Sequence, residues 1–295
     1  MMLAMATFTI NDSITKYLSE SMNVGQIMFL RGILATTVVL LLAKQQKALV
    51  APRNMMHPMV LLRALGELGA TITYLVALAH LSLGFTSAVF QSVPLAVTLL
   101  AALFLKEQVG WRRWLAITIG FVGVLIIIRP GADGINPYAA VLLVGVLFTA
   151  CRDLATRRVP QTMPTLMISA LTSFIVTLTG ACLIHPMGGW VEPSWEEIGF
   201  LMVASILLLI GYHFVILAMR TGEISFVAPF RYTSLLWAIL LGFVIFGDIP
   251  DLPMIVGSVI VVLSGIYMLY RESVVIRRAR LADKASEAAA VREAA

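Results

Sequence analysis

The stretch Ala77–Glu107, ALAHLSLGFTSAVFQSVPLAVTLLAALFLKE, has a gapless counterpart 141 residues further on, Ala218–Asp248, AMRTGEISFVAPFRYTSLLWAILLGFVIFGD. Phe85 falls on Phe226, Leu95 on Leu236, Leu99 on Leu240, Leu100 on Leu241, and the closing Glu107 on Asp248. With one further residue inserted, Gly123 falls on Gly265 and Arg129 on Arg271. Each copy carries an apolar run of about twenty residues, the length that crosses about 30 Å of hydrocarbon at about 1.5 Å per residue. Working outward, ten such runs appear, at roughly 2–18, 24–43, 58–80, 84–105, 112–129, 136–153, 165–184, 197–218, 225–246 and 252–271. Most of the gaps hold Pro and Gly, as in RPGADGINP (Arg129 to Pro137) and HPMGGWVEPSW (His185 to Trp195).

Composition agrees. Of 295 residues 60% are hydrophobic and 13% charged, against about a quarter charged in soluble domains, and mean hydropathy is +0.94. The expected fold class is an all-α integral membrane protein of ten transmembrane helices. Five helices per copy is an odd number, so the second copy enters the membrane upside down, as inverted repeats do. The expected units are a first repeat at 1–129, a second, inverted repeat at 136–271 and a cytoplasmic tail at 272–295.

The net charge of +5 divides by side. With both termini in the cytoplasm, the inner connections hold Lys44, Lys47, Arg53, Lys106, Arg112, Arg113, Arg152, Arg157, Arg158 and Arg220, and the tail holds six more basic residues. The outer loops hold Arg129 against seven acidic residues, Glu20, Asp133, Glu192, Glu196, Glu197, Asp248 and Asp251. This is the positive-inside pattern of a bacterial inner membrane, with Trp111 and Trp114 at one interface and Trp190 and Trp195 at the other. Cys151 and Cys182 are expected on opposite membrane faces, beyond disulfide reach. No signal peptide, metal spacing or P-loop is read.

Polar residues inside the spans carry the functional reading, because a charge at mid-bilayer costs a few kcal/mol or more and faces a cavity or a partner. NDSITKYL (Asn11 to Leu18) puts Asp12 and Lys16 at i, i+4, an intrahelical pair, and places Asn11 beside them. Arg63 and Glu67 repeat the spacing. Arg31 and Arg231 have no partner in their own helices. Lys16, Arg31, Arg63 and Arg231 against Asp12 and Glu67 leave two positive charges, which a substrate carboxylate would meet. Tyr74, Gln91, Tyr232 and Trp237 are the further cavity candidates. Asp12, Glu67 and His213 are the proton-coupling candidates. Pro94 and Pro229 permit kinks in two helices. The 141-residue shift lays Pro229 on Ala88, so these kinks are expected to be unsymmetric.

Helix 1 with NDSITKYL, followed by GQIMFLRGILA (Gly25 to Ala35), resembles the opening of EamA-type members of the drug/metabolite transporter superfamily. LLAALFLKEQVGWRRW (Leu99 to Trp114), VAPFRYTSLLWAILLGFVIFGD (Val227 to Asp248) and GFVGVLII (Gly120 to Ile127) are similar to that family's repeat. The resemblance covers about 8–271. It implies ten helices in two inverted repeats, a central cavity and alternating access. Members export amino acids or import riboflavin or S-adenosylmethionine. Without a P-loop the expected drive is a gradient, and without HExxH, GxSxG or a His/Asp cluster neither an enzyme nor a cofactor is expected. A ten-helix bundle can enclose its own site, so a monomer is sufficient and a homodimer possible. The expected activity is export of amino acids or related carboxylates, with cofactor import as the alternative and a channel or membrane-embedded enzyme behind them.

Overall fold

The chain is described by a computed structural model that covers all residues except 47–56, 108, 132–134, 161–162, 222–223 and 295. At 216, 220–221, 224–225, 272 and 275–294 only the backbone is described. The described residues form α1 (Met2–Leu18), α2 (Val24–Gln45), α3 (Pro58–His80), α4 (Leu83–Phe90), α5 (Val93–Phe104), α6 (Trp111–Ile128), α7 (Pro137–Arg158), α8 (Thr165–Ile184), α9 (Trp195–Thr221), α10 (Ile224–Val227), α11 (Thr233–Phe246) and α12 (Leu252–Ala294). Among them, nine spans are long and apolar enough to cross a membrane, with α4–α5 counted as one and the segment Ala228–Phe246 as another. α1, at 17 residues, is not among them.

Local chemistry sets the helix ends. The side chains of Asn23, Ser82 and Asn136 accept hydrogen bonds from the backbone N–H groups of Gln26, Phe85 and Tyr138, which have no intrahelical partner. α11 stops at Gly247, whose φ of 69° suits a residue without Cβ.

Two spans are broken. α4 ends at Phe90, α5 begins at Val93, and Pro94 lies in the first turn of α5. Further along, α10 gives way to a 3-10 turn, Ala228–Tyr232, with Pro229 in its first turn, before α11 starts at Thr233. The 141-residue shift carries Gln91 to Tyr232 and Ser92 to Thr233. The breaks therefore coincide although the prolines do not, which corrects the expectation of unsymmetric kinks. Proline needs only to sit within the first turn after a break, where its missing N–H costs little. Its position can drift while the break stays.

Helix packing is matched in the same way. α2 packs on α8 and α6 on α12, each against its own counterpart. The α3–α7 contact has a counterpart in α1–α9, α5–α7 in α1–α11, and α3–α8 in α2–α9. The α6–α12 contact needs two glycines: a Cβ on Gly123 would lie 2.9 Å from the Gly257 carbonyl oxygen, and one on Gly257 would lie 2.6 Å from that of Gly123. The main apolar core joins Ala88, Val89, Ala96, Ile127, Leu142, Val146, Leu235 and Val261 from six helices. A second cluster, Val24, Met28, Leu75, Leu78, Leu83 and Ala238, closes the end of the bundle next to Lys16.

Candidate functional site

Along α1 the small hydroxyls satisfy themselves. Thr9, Ser13 and Thr15 donate to the carbonyls of Met5, Thr9 and Asn11 at 2.8–2.9 Å, so a polar helix face survives in an apolar setting. Asp12 is held from outside its helix. The Tyr74 hydroxyl on α3 donates to one carboxylate oxygen at 2.7 Å, and the Asn11 amide donates to the other at 3.0 Å. The Asn11 side-chain oxygen, on a residue only 2% exposed, has no partner. Arg31, on α2, donates from one guanidinium nitrogen to Thr15 Oγ at 2.8 Å, leaving other donors of its fork for a ligand. Tyr74 is fixed in turn against Phe90, the rings 4.8 Å apart.

The Asp12–Lys16 pair expected from i, i+4 spacing does not form. Lys16 Nζ turns to the carbonyl oxygens of Leu78 and Leu81, at 3.2 and 2.6 Å, and lies 5.4 Å from the Phe246 ring. The end of α3 presents carbonyls with no intrahelical donor and the negative end of its dipole. Those carbonyls hold the ammonium more firmly than a one-turn neighbour does.

The Arg63–Glu67 pair is replaced as well. Glu67 pairs with Arg152 of α7 at 3.1 Å, and Arg152 also pairs with Asp153 at 2.8 Å. Arg63 donates to Thr156 at 3.1 Å and Thr172 at 2.7 Å. α3 and α7 come close at Gly66, where an added Cβ would meet the Arg152 backbone at 3.0 Å. That contact brings Glu67 within reach of Arg152. The expectation that Arg152 lies in a connection is corrected, since α7 runs on to Arg158.

Tyr212 of α9 joins the two charged groups. Its ring stacks edge-on against Phe8 of α1 at 5.2 Å and lies within electrostatic range of Arg31, Arg63, Glu67 and Arg152. Yet Tyr212 is 51% exposed. From sequence, Arg152 falls in an inner connection, and Asp153 and Thr156 are given no role. A signal was available: the shift of 141 also lays Asp12 on Asp153, Thr15 on Thr156 and Lys16 on Arg157.

The other candidates scatter. Gln91 donates to Ser234 Oγ at 2.7 Å and joins the two helix breaks. Tyr232 is buried with an unpartnered hydroxyl, packed where a Cβ on Gly265 would clash with it. Arg231 and His213 are exposed, and Trp237 is half-buried. Thus Asn11, Asp12, Tyr74 and Arg31 form one cluster, and Glu67 belongs to the Arg152 group. Cys151 and Cys182 are both free.

The comparisons with known proteins fit this arrangement. An S-adenosylmethionine uptake transporter of Rickettsia prowazekii is 25% identical over 276 residues, covering 92% of this chain and 91% of its own. A pseudopaline exporter of Pseudomonas aeruginosa is 27% identical over 266 residues, covering 89% and 92%. A riboflavin transporter of Vibrio cholerae is 29% identical over 200 residues, covering 65% and 64%. A solved crystal structure matches with a TM-score of 0.61 at 16% identity, over 91% of this chain and 96% of its own, which shows a shared fold. The EamA-like transporter family matches residues 1–129 and again 136–271. With nearly the whole chain covered, and with helices able to span a membrane, the chain belongs to the EamA-like transporter family and is a transporter, not an enzyme.

Proposed function

We propose that this transporter is an alternating-access carrier of ten spans, built as two inverted repeats, for a small metabolite bearing both an amino and a carboxylate group. The observation that carries the substrate reading is the opposed pair on α1 and α2. Asp12 and the unpartnered Asn11 oxygen are adjacent acceptors that ask for an ammonium donor. Arg31 presents a guanidinium suited to a carboxylate a short distance along. The repeat reading is supported by the coincident helix breaks and by the matched helix contacts. Membrane orientation follows the basic residues, with both termini in the cytoplasm.

Transport would proceed by one half moving against the other about the midplane. The Gln91–Ser234 contact lies where the two broken helices cross. In this scheme the site is wetted from one side at a time, and a gradient, of protons or of substrate, supplies the drive. Asp12 and Glu67 are the carboxylates placed to exchange a proton.

S-adenosylmethionine carries the amino and carboxylate groups of an amino acid, so the relatives' names favour it as the first substrate to try. Amino-acid export uses the same site in the other direction, and the names include an exporter. The test is counterflow in proteoliposomes loaded with one unlabelled compound at a time: S-adenosylmethionine, aliphatic and aromatic amino acids, dicarboxylates and riboflavin. Saturable uptake of the matching label by a compound with both groups is expected. Uptake of dicarboxylates or riboflavin alone would overturn the substrate reading. Uptake that never saturates would mean a channel.

A further inference from the structure

Lys16 binds one end of the bundle together. It rises from α1, donates to the two carbonyls that end α3, lies over Phe246 of α11 and is within electrostatic range of Asp248. One oxygen of the Asp248 carboxylate is buried without a hydrogen-bond partner, and Lys16 is a nearby cation. Behind it Ala238, wholly buried, lines a cavity of about 80 Å³ with Ser82, Gly84 and Asp248. Helices α1, α3 and α11 are thereby closed on one another at this end.

The shift of 141 that relates the helix breaks relates this closure to a second set of residues. Lys16 falls on Arg157, Leu78 on Met219, Phe246 on Leu105 and Asp248 on Glu107. Each keeps its chemistry: a long cation, a carbonyl in the last turn of a helix, an apolar side chain and a carboxylate. In this second set the side chains of Arg157 and Glu107 are exposed, and neither side chain makes a hydrogen bond or ion pair among the described residues. Met219 is 37% exposed. One latch is shut and its counterpart is undone, as two faces that open in turn require.

We infer that Arg157 is the latch of the opposite face. When Lys16 lets go, Arg157 donates to the carbonyl end of α9 at Met219, beside Glu107, and closes the cytoplasmic end. This rests on the inverted-repeat carrier reading above. The two latches compete, so removing one tips the balance toward the face held by the other.

The test uses the full chain with Cys151→Ala and Cys182→Ser and one reporter, Ala238→Cys, in intact cells. A membrane-impermeant maleimide applied from outside labels the reporter only when the Lys16 end opens. Lys16→Met keeps the apolar stem and removes charge-assisted hydrogen bonds, so labelling should rise at least about tenfold. Adding Arg157→Met should return the rate toward that of the parent. Adding Arg157→Lys instead should leave it raised, because charge and donors remain. If Lys16→Met raises labelling and Arg157→Met does not lower it, Arg157 is no latch. If Lys16→Met has no effect, the observed closure is not a latch and its mirror image falls too. Counterflow on the same variants separates these failures from failure of the carrier reading, since a carrier that exchanges substrate without the reversal sinks only the latch.

Discussion

The segment Asn11–Lys16 of α1 and the segment Arg152–Arg157 of α7 sit 141 residues apart and share Asp, Thr and a terminal cation at the same spacing. Their surroundings differ. In α1 the carboxylate meets a tyrosine hydroxyl, the threonine meets Arg31 and the lysine is engaged with backbone carbonyls. In α7 the carboxylate meets the adjacent Arg152, the threonine meets Arg63 and Arg157 is exposed. Both threonines accept from an arginine of another helix. The charge environments diverge: in α1 the hydrogen bonds to the carboxylate come from neutral donors, with Arg31 nearby, whereas α7 builds an ionic network with Glu67. Under the proposed function the same letters serve a ligand in one half and hold helices together in the other.

Substitutions can break that contrast. The largest effect is expected at Asp12. Asp12→Asn should lower counterflow more than about tenfold, as loss of a charge-assisted ligand contact does, whereas Asp153→Asn should change it a few-fold at most. Equal losses would show the two segments to be functionally alike. Next is Arg152→Leu, which leaves Glu67 partly buried without its cation. Thermal unfolding in detergent should report a loss of about 3 kcal/mol, near the low end for a broken buried pair because both side chains are about a quarter exposed. Glu67→Leu added to it should recover part of the loss, since an apolar pair carries no desolvation penalty.

A smaller effect is expected of Tyr74→Phe, which removes one hydrogen bond to Asp12 and keeps the ring on Phe90. Counterflow should weaken roughly three- to tenfold, in line with one bond of about 1 kcal/mol, with stability near wild type. Smallest is the ion pair of Arg129 and Asp251, which joins the end of α6 to the start of α12 with both side chains about half exposed. The Arg129 guanidinium and the Met254 backbone N–H hold the Asp251 carboxyl below its usual range. A depressed carboxyl stabilises the fold above its unfolded pKa, and that contribution is lost as pH falls through the lower folded value. Arg129→Ala should therefore cost under about 1 kcal/mol at neutral pH and remove only a shallow slope below about pH 4. It calibrates what a charge pair is worth outside the packed bundle.

Much of the fold was legible because lipid is a strict solvent. It demands runs of fixed length and expels charge, so Val24–Gln45 or Leu252–Arg271 can be read one residue at a time. The site was legible only as an inventory. Asp12 was singled out because a carboxylate in an apolar run needs a reason. Its partner Tyr74 lies 62 residues away, and the partner of Glu67 lies 85 residues away. The i, i+4 rule supplied local partners for both, and both were displaced. In water such pairs are worth only about 0.2–0.5 kcal/mol, less than one well-placed hydrogen bond from a neighbouring helix. Arg152 was missed because α7 extends past its apolar run.

The sequence by itself determined that the chain is a bundle of membrane-spanning helices and which polar residues must be explained. Those follow from hydropathy, length and spacing, properties that each segment carries alone. Only the tertiary structure decided which charge meets which: Lys16 on the end of α3, Arg152 on Glu67, Arg31 on Thr15. Those choices depend on where helices cross, and a crossing such as that of Gly66 with Arg152 is set by close packing between segments that no local pattern links.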